Sequence, residues 1–394
     1  MKTLTDINLK GARVLIRVDF NVPLNDAFEV TDATRIIAAK PTILKVLEAG
    51  GSCVLISHLG RPKGREPQFS LEHIVSKVSD ILGVKVHFIA DTIGDQVDAK
   101  KKALQAGEVL LLENLRYYPE ETAGDQNFAS QLIANIDYYI NDAFGTAHRA
   151  HASTTIAAQL MPNKKAAGLL LQKEVENVEK VFKHAEKPVV AIIGGAKVSS
   201  KIGIITNLFD IVDHLIIGGG MAFTFLKALG SNVGNSLVEN DKLTEALNIL
   251  KLAEARNTKI HLPQDVIASD TFSENGQVVI CNASKITSGF MGLDVGPETI
   301  KEFNELIANA KTILWNGPMG VFEMASFAKG TKLVGEAIAE ATQKGAFSLV
   351  GGGDSVAAAK QFGLTNSLSY ISTGGGAMLE MLEGKTLPGV AALA

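Results

Sequence analysis

Long apolar runs are missing from this sequence. No uninterrupted stretch approaches the roughly 18 residues that a bilayer-spanning helix needs, which excludes a helical membrane protein. Cysteine is nearly missing too: the 394 residues hold two, too few for a disulfide scaffold. Cys53 in GSCVLIS and Cys281 in VVICNAS both stand in apolar, strand-like settings that suit a buried, inert thiol. Neither sign of charge dominates, since 38 Lys and Arg against 42 Asp and Glu leave a formal −4. That balance gives no footprint for nucleic acid or an anionic membrane surface as partner. Two nucleotide signatures are missing as well. There is no G-x-x-x-x-G-K-[ST], so a P-loop is excluded, and no G-x-G-x-x-G with a ribose-binding acid about 20 residues on, which weakens a nicotinamide dehydrogenase. No long Gly/Ser linker, low-complexity tract or solenoid repeat interrupts the chain. Residues 1–20 read as a turn and a charge-bearing strand rather than a secretory signal, and the cytoplasm is the expected compartment.

Arginine is scarce and unevenly placed: of eight, seven fall in the first 149 residues. A guanidinium is a planar fork that matches a carboxylate or phosphate bidentately, so this half suits a small anion. Glycine is distributed the other way. Four pairs or triplets, each ending an apolar run, fall in the last 207 residues. Glycine runs clear side chains from the backbone, so that consecutive N–H groups can approach a polyphosphate. Anion sites of two kinds in separate halves imply two phosphorylated ligands and a phosphoryl transfer between them.

At about 150 residues per domain, the length predicts two or three domains. Hydrophobic residues at 46% with charged residues at 20% are ordinary for a globular protein. Short apolar runs alternate with stretches of helical period, the pattern of a parallel sheet covered by helices on both faces. Strands are expected at 13–19, 53–57, 109–113 and 138–141, and again at 189–194, 214–218, 312–315, 348–351 and 370–372. The fold class expected is α/β, with two doubly wound, Rossmann-like parallel-sheet domains and a cleft between them. Domain limits are expected at 1–168 and 188–376. Between them, Leu171, Val175, Val178 and Phe182 recur at helical spacing and Pro188 ends the pattern, which predicts a connecting helix over 169–187.

Ligands of an open parallel sheet bind outside the carboxyl ends of its strands, and the polar residues of the first half follow the strands. RVDFNVP supplies Asp19 and Asn21, SHLGRP supplies His58 and Arg61, ENLRYYPEE supplies Asn114 and Arg116, and NDAFGTAHRAHAS supplies His148, Arg149 and His151. Arg35, at the start of the first helical pattern, can join them. A single arginine is ordinarily a surface ion pair, but arginines at several corresponding strand ends point to one anion site. His148 and His151 have a metal-like spacing without a third ligand, so a zinc site is not expected. Asp19 and Asn21 suit a substrate hydroxyl.

In the second half, VVAIIGGAKVSSKI, HLIIGGGMAFTFL, FSLVGGGDSVAAA and SYISTGGGAMLEML each turn a strand into a helix through glycine, aiming free N–H groups and the positive helix end at one edge. Tight helix–strand packing explains any one cluster equally well, and the repetition is what favours phosphates. Lys197 and Lys201 are four apart, so a helix starting near Lys197 would bring both to the same phosphates. Asp354 either holds Mg²⁺ against those phosphates or, like Ser355, caps a helix. Asn316 and Glu323, near a strand end in WNGPMGVFE, suit ribose hydroxyls, and Trp315 suits the core.

Taken in order, RVDFNVP, SHLGRP, LLENLRYYPEE, NDAFGTAHRAHAS, GGAKVSSKI, GGGMAFTF, WNGPMGVFE, GGGDS and STGGGA resemble the phosphoglycerate kinase family across the whole chain. The resemblance implies reversible phosphoryl transfer from 1,3-bisphosphoglycerate to ADP, giving 3-phosphoglycerate and ATP, by a cytoplasmic, Mg²⁺-dependent, two-lobed monomer. By matching position it implies that Asp19, Asn21, Arg35, His58, Arg61, Arg116 and Arg149 bind the phosphoglycerate. Lys197, Lys201, Gly219, Leu293, Asn316, Glu323, Gly352, Gly353, Asp354 and Ser355 would serve the nucleotide, with Asp354 taking the metal ion. Residues 377–394 would cross back to the first lobe.

In the ATP-consuming direction the acceptor is a carboxylate already ionised at neutral pH, so no general base is needed. Catalysis rests on alignment and on charge around the moving phosphoryl group. Arg35 and Lys201 are expected to neutralise that group from opposite lobes after closure, helped by the N–H groups of Gly374, Gly375 and Gly376. A nicotinamide dehydrogenase and a non-catalytic, two-lobed anion-binding protein are the alternatives; the second leaves the glycine clusters and lysines without a purpose.

Overall fold

Short strands rich in Val, Ile and Leu can be buried on both faces only where helices cover both. The computed structural model, which describes residues 1–394, shows that arrangement twice. The first unit comprises Met1–Glu176 with Thr386–Ala394. Its strands are β1 (Arg13–Arg17), β2 (Ser52–Ile56), β3 (Val86–Ile89), β4 (Val109–Leu112), β5 (Tyr138–Asn141) and β6 (Lys165–Ala167). They pair in parallel in the order β3-β4-β2-β1-β5-β6. Val14, Ile16, Cys53, Leu55 and Leu111 sit in one core with Ile36 and Ile43 of helix Thr34–Glu48. The winding changes direction between β1 and β5, and a crevice opens at the carboxyl ends of strands at such a point.

The second unit is Asn177–Lys385. Its large sheet contains β7 (Val189–Ile193), β8 (His214–Ile217) and β9 (Lys259–His261), and, after a separate antiparallel sheet of β10 (Asp265–Ser269), β11 (Val278–Asn282) and β12 (Met291–Val295), the strands β13 (Thr312–Asn316), β14 (Phe347–Val350) and β15 (Tyr370–Ile371). The parallel order is β15-β14-β13-β7-β8-β9, wound outward in both directions from β7 and β13. Trp315 is fully buried in the core beneath it. The small sheet packs on Phe223 and Leu226 through Val266 and Ala268.

Three strands at or near sheet edges, β3, β6 and β9, and the whole small sheet lie outside the strands expected from sequence. Each edge strand has only three or four residues, and β11 alternates exposed and half-buried positions. Cys281 lies on β11 and is half-buried, whereas Cys53 is fully buried as expected.

The chain passes from one unit to the other inside helix Leu169–Lys183. The helix stops four residues before the expected limit, and Val181 rather than Phe182 completes its buried stripe with Leu171, Val175 and Val178. Its first N–H groups are capped from outside the helix. Leu169 donates to the Thr42 hydroxyl at 2.9 Å, and Leu170 and Leu171 donate to Asp142 Oδ1 at 2.9 and 3.2 Å. The returning C-terminal segment begins at Thr386 rather than at 377. Helix Gly375–Leu382 stays with the second unit, where Ala377, Met378 and Leu382 are buried.

Candidate functional site

In the first unit the polar strand-end residues are linked to one another. Asp19 and Asn21 follow β1; Asp19 Oδ2 and the Asn21 carbonyl accept from Arg35 Nη1 at 3.0 and 3.1 Å. Asn21 Oδ1 accepts from Gly60 N at 2.8 Å, and the Gly60 carbonyl accepts from Arg116 Nη1 at 2.8 Å. Arg61, Arg116, Arg149 and His151 line a cavity of about 550 Å³ with Lys63 and Tyr117. Arg61 and Arg149 are exposed and form no ion pair, so that wall carries uncompensated positive charge.

The residue that organises this charge lies inside β1 and was not singled out from sequence. Arg17 is 1% exposed. Its Nε donates to the Ser153 hydroxyl at 2.9 Å and its Nη2 to His58 Nδ1 at 3.1 Å. A guanidinium only donates, so His58 Nδ1 is the acceptor and the single proton of the neutral ring sits on Nε2. Burial, followed by the charges of Arg17, Arg116 and Arg35, holds His58 well below the usual histidine range. Burial and the same kind of cationic surroundings bring His151 down to about 4. Both rings are neutral at pH 7. Glu121, completely buried, accepts from Ser153 N at 2.9 Å and Ser153 Oγ at 2.6 Å. The sequence signal for Arg17 was an arginine within an otherwise apolar strand, RVLIRVDF.

Asn114 does not face a ligand. Its Oδ1 accepts from Leu59 N and Arg116 N, and its Nδ2 donates to the carbonyls of Leu59 and Phe69, which fills its hydrogen-bonding capacity and ties two loops together.

In the second unit, two cavities open at the carboxyl ends of β7 and β13. One of about 480 Å³ is mostly apolar, lined by Gly219, Phe223, Pro263 and Leu293, with Glu323 and Asp354 among its polar residues. The other, of about 410 Å³, is lined by Lys197, Lys201, Asn316, Gly352, Gly353, Asp354 and Ser355. Gly195, Ala196 and Asp354 line both.

The two lysines reach the second cavity without the helix expected to carry them. Residues 197–201 form turns, and the helix runs Ile202–Leu208 with Lys201 at its N-cap. Lys201 Nζ donates to Asn316 Oδ1, and Asn316 Nδ2 donates to the Gly351 carbonyl at 2.6 Å. Asn316 is fully buried; its amide aims Lys201 and fastens the Gly351 turn. Desolvation lowers the Lys201 pKa, while Asp354 and Glu383 oppose the shift.

The open choice at Asp354 is narrowed by helix Gly353–Gln361. Gly352 is its N-cap, at φ +93°, with no side-chain cap. Ser355 Oγ accepts from Gly317 N at 2.5 Å, which commits that hydroxyl to holding the β13 turn. The Asp354 carboxylate is exposed and engaged in no hydrogen bond or ion pair. A lone carboxylate beside phosphate-accessible N–H groups suits Mg²⁺, which keeps most of its waters and binds through one or two carboxylates plus phosphate oxygens.

Within each glycine cluster the members differ. A side chain at Gly194 would meet the backbone of Gly317 and Pro318, and one at Gly351 would meet Met378. Gly195, Gly353 and Gly375 face open space. Gly374 is the N-cap of helix Gly375–Leu382; its own N–H donates to the Ser372 hydroxyl, and Ala377 N to the Gly374 carbonyl, which leaves the N–H groups of Gly375 and Gly376 free for an anion.

A family model described as phosphoglycerate kinase matches residues 4–385. The chain is 52% identical over 393 residues to a phosphoglycerate kinase of Chlorobium phaeovibrioides, covering 100% of this chain and 99% of that one. It is 51% identical over 391 residues to a cytosolic phosphoglycerate kinase of Triticum aestivum, covering 99% and 97%. Among solved structures, phosphoglycerate kinase from Coxiella burnetii is similar with a TM-score of 0.92 at 42% identity, covering 99% of this chain and 98% of that one. The enzyme from Pyrococcus horikoshii OT3 gives 0.81 at 31% identity, covering 100% and 98%.

Proposed function

The chain belongs to the phosphoglycerate kinase family and is a phosphotransferase, moving a phosphoryl group reversibly between 1,3-bisphosphoglycerate and ADP; on that premise we propose how its residues divide the reaction. The three-carbon acid binds in the first unit. Arg61, Arg116 and Arg149 grip its non-transferring phosphate, Asp19 and Asn21 take its hydroxyl, and neutral His58 serves as a polar contact that adds no charge. The observation that carries this assignment is the cavity wall itself, where Arg61 and Arg149 have no carboxylate and His151 is kept neutral by burial and the cations around it.

The nucleotide binds in the second unit. Its base occupies the apolar cavity at Gly219 and Leu293, Glu323 meets the ribose, and the phosphates lie along Lys197, Lys201, Gly352, Gly353 and the backbone up to Ser355. Asn316 acts by aiming Lys201. Asp354 would hold Mg²⁺, which when bound supplies charge neutralisation at the phosphate oxygens. Arg35, Lys201 and the N–H groups of Gly375 and Gly376 neutralise the transferring group; the Gly374 N–H, expected to join them, donates instead to the Ser372 hydroxyl at 3.2 Å. The carboxylate attacks, or departs, in its ionised form and needs no base. Transfer requires the two ligands to meet in line with water excluded, so the cycle includes a closure that brings them together. The working form is proposed as a monomer in the cytosol, the compartment named for the wheat relative.

A coupled assay for ATP formation from 1,3-bisphosphoglycerate and ADP, with and without Mg²⁺, tests donor, acceptor and metal together. Metal-independent turnover would remove the role given to Asp354. Loss of turnover in Arg61→Ala with an unchanged phosphoglycerate KM would remove the role given to the cavity wall.

A further inference from the structure

Seven arginines lie in the first unit, and the proposed reaction leaves Arg65 without a task. It sits on the same loop as Arg61 and Lys63, four residues beyond Arg61, and its side chain is half-exposed. An exposed arginine is usually a weak ion pair. This one has three hydrogen-bond partners. Its Nη1 donates to the Ala90 carbonyl at 3.1 Å; its Nη2 donates to Asp91 Oδ1 at 2.8 Å and to the Tyr118 hydroxyl at 2.9 Å. The Tyr118 hydroxyl itself donates to the same Asp91 oxygen. The guanidinium carbon lies 5.9 Å from the Tyr117 ring centroid and 5.6 Å from that of Tyr118, within cation–π reach of both.

The neighbouring residue ties the same end of the loop. The Glu66 carbonyl accepts from the Tyr117 hydroxyl at 2.7 Å, and Glu66 Oε1 accepts from Lys63 N at 2.7 Å. At the other end, Gly60 is held by Asn21 and Arg116. The stretch between these posts carries Arg61 and Lys63 along the cavity wall with no hydrogen bond from the Arg61 side chain to fix it.

We propose that Arg65 is a positioning residue for the known reaction: by clamping the far end of the loop onto Tyr117, Tyr118 and Asp91, it holds Arg61 and Lys63 at the distance the phosphate of the three-carbon substrate requires. This rests on the cavity assignment made above. The clamp depends on the planar fork that stacks and donates at once, which a lysine cannot reproduce.

The full chain carrying Arg65→Ala, Arg65→Lys or Arg61→Ala is assayed in the ATP-consuming direction for kcat and for the KM of each substrate, phosphoglycerate and ATP, with the thermal midpoint of each variant. Both Arg65 variants are expected to raise the phosphoglycerate KM about fivefold, as misplacement of a binding group does, with the ATP KM and the midpoint nearly unchanged. Tyr118→Phe should shift the same constant in the same direction. If Arg65→Lys behaves as the parent while Arg65→Ala does not, the residue acts as charge alone and the clamp is refuted. A normal phosphoglycerate KM in both Arg65 variants with a raised one in Arg61→Ala also refutes it. A normal value in Arg61→Ala overturns the cavity assignment, and the clamp with it. A rise in both substrates' KM together with a lowered midpoint would mean a folding defect and equally refutes positioning.

Discussion

Arg35 and Lys201 are each aimed by oxygen partners yet keep donors in reserve: Asp19 and Asn21 hold one nitrogen of the first, and Asn316 holds the second. A group held this way costs little to reorganise when charge develops beside it. Replacing either by alanine should therefore lower kcat by about 100-fold, on the order of 3 kcal/mol, while changing each KM far less. Steady-state kinetics in both directions check this, and near-normal turnover in both variants would sink the assignment. The histidines give a pH prediction. In the unfolded chain His151 has its ordinary value near 6.5, and burial brings it to about 4 in the fold. Between those values the unfolded chain holds a proton that the folded chain does not, so stability falls as pH drops from 6.5 towards 4. Asp142 and Asp294, raised by burial to about 7, act with the opposite sign and lose stability as pH rises from 3.8 to 7. His151→Gln should flatten the acid-side loss in urea midpoints measured across that range, and an unaltered slope would contradict the neutral ring. The charged surface residues of this site were legible in sequence because their positions after the strands gave them away. Arg17 and Arg65 were not, because one is hidden in a strand and the other has partners that only the folded loop brings near.

At the scale of elements, the glycine turns separate into members that pack and members that face open space. Gly194 lies against the Gly317 and Pro318 backbone, which cannot move aside, whereas Gly353 opens the first turn of helix Gly353–Gln361 to empty space. Gly194→Ala should destabilise the second unit by about 3 kcal/mol, the upper end for overpacking. Gly353→Ala should fold normally but raise the KM for ADP severalfold, because its methyl group stands where phosphates pass. Calorimetry and kinetics on the pair distinguish the two roles; equal destabilisation in both would make the turns packing devices only. The repeated strand–glycine–helix pattern was readable from sequence, but which glycine does which was not, since that depends on what packs across the turn. The same limit applies to Lys197 and Lys201. Their spacing of four suggested a shared helix face, yet the chain turns through 197–201 and brings both to one cavity by another route. Central strands were legible as continuous apolar runs buried on both faces, whereas β3 and β9 are short and partly exposed, and β6 is three residues, Lys165–Ala167, without a β-branched or large apolar side chain.

For the whole molecule, the decisive feature is that each unit has its own core and its own cavities, to which the proposed function gives one ligand each. One ligand alone should therefore protect one unit alone. Hydrogen exchange read by mass spectrometry should show 3-phosphoglycerate slowing exchange in peptides of Met1–Glu176 that hold Arg61, Arg116 and Arg149, with the second unit unchanged. Mg-ADP should slow exchange around Lys201, Gly353 and Asp354 and leave the first unit unchanged. Local opening is what such exchange reports, and a ligand can suppress it only where it binds or where a transition it favours buries new surface. If the proposed closure occurs, both ligands together should protect the peptides bearing Arg35, Lys201 and Gly374 by more than the two single-ligand effects combined. The same excess should vanish in Arg35→Ala if that residue meets the transferring group. Strictly additive protection, with turnover intact, would mean that transfer needs no closure beyond what each ligand already induces in its own unit.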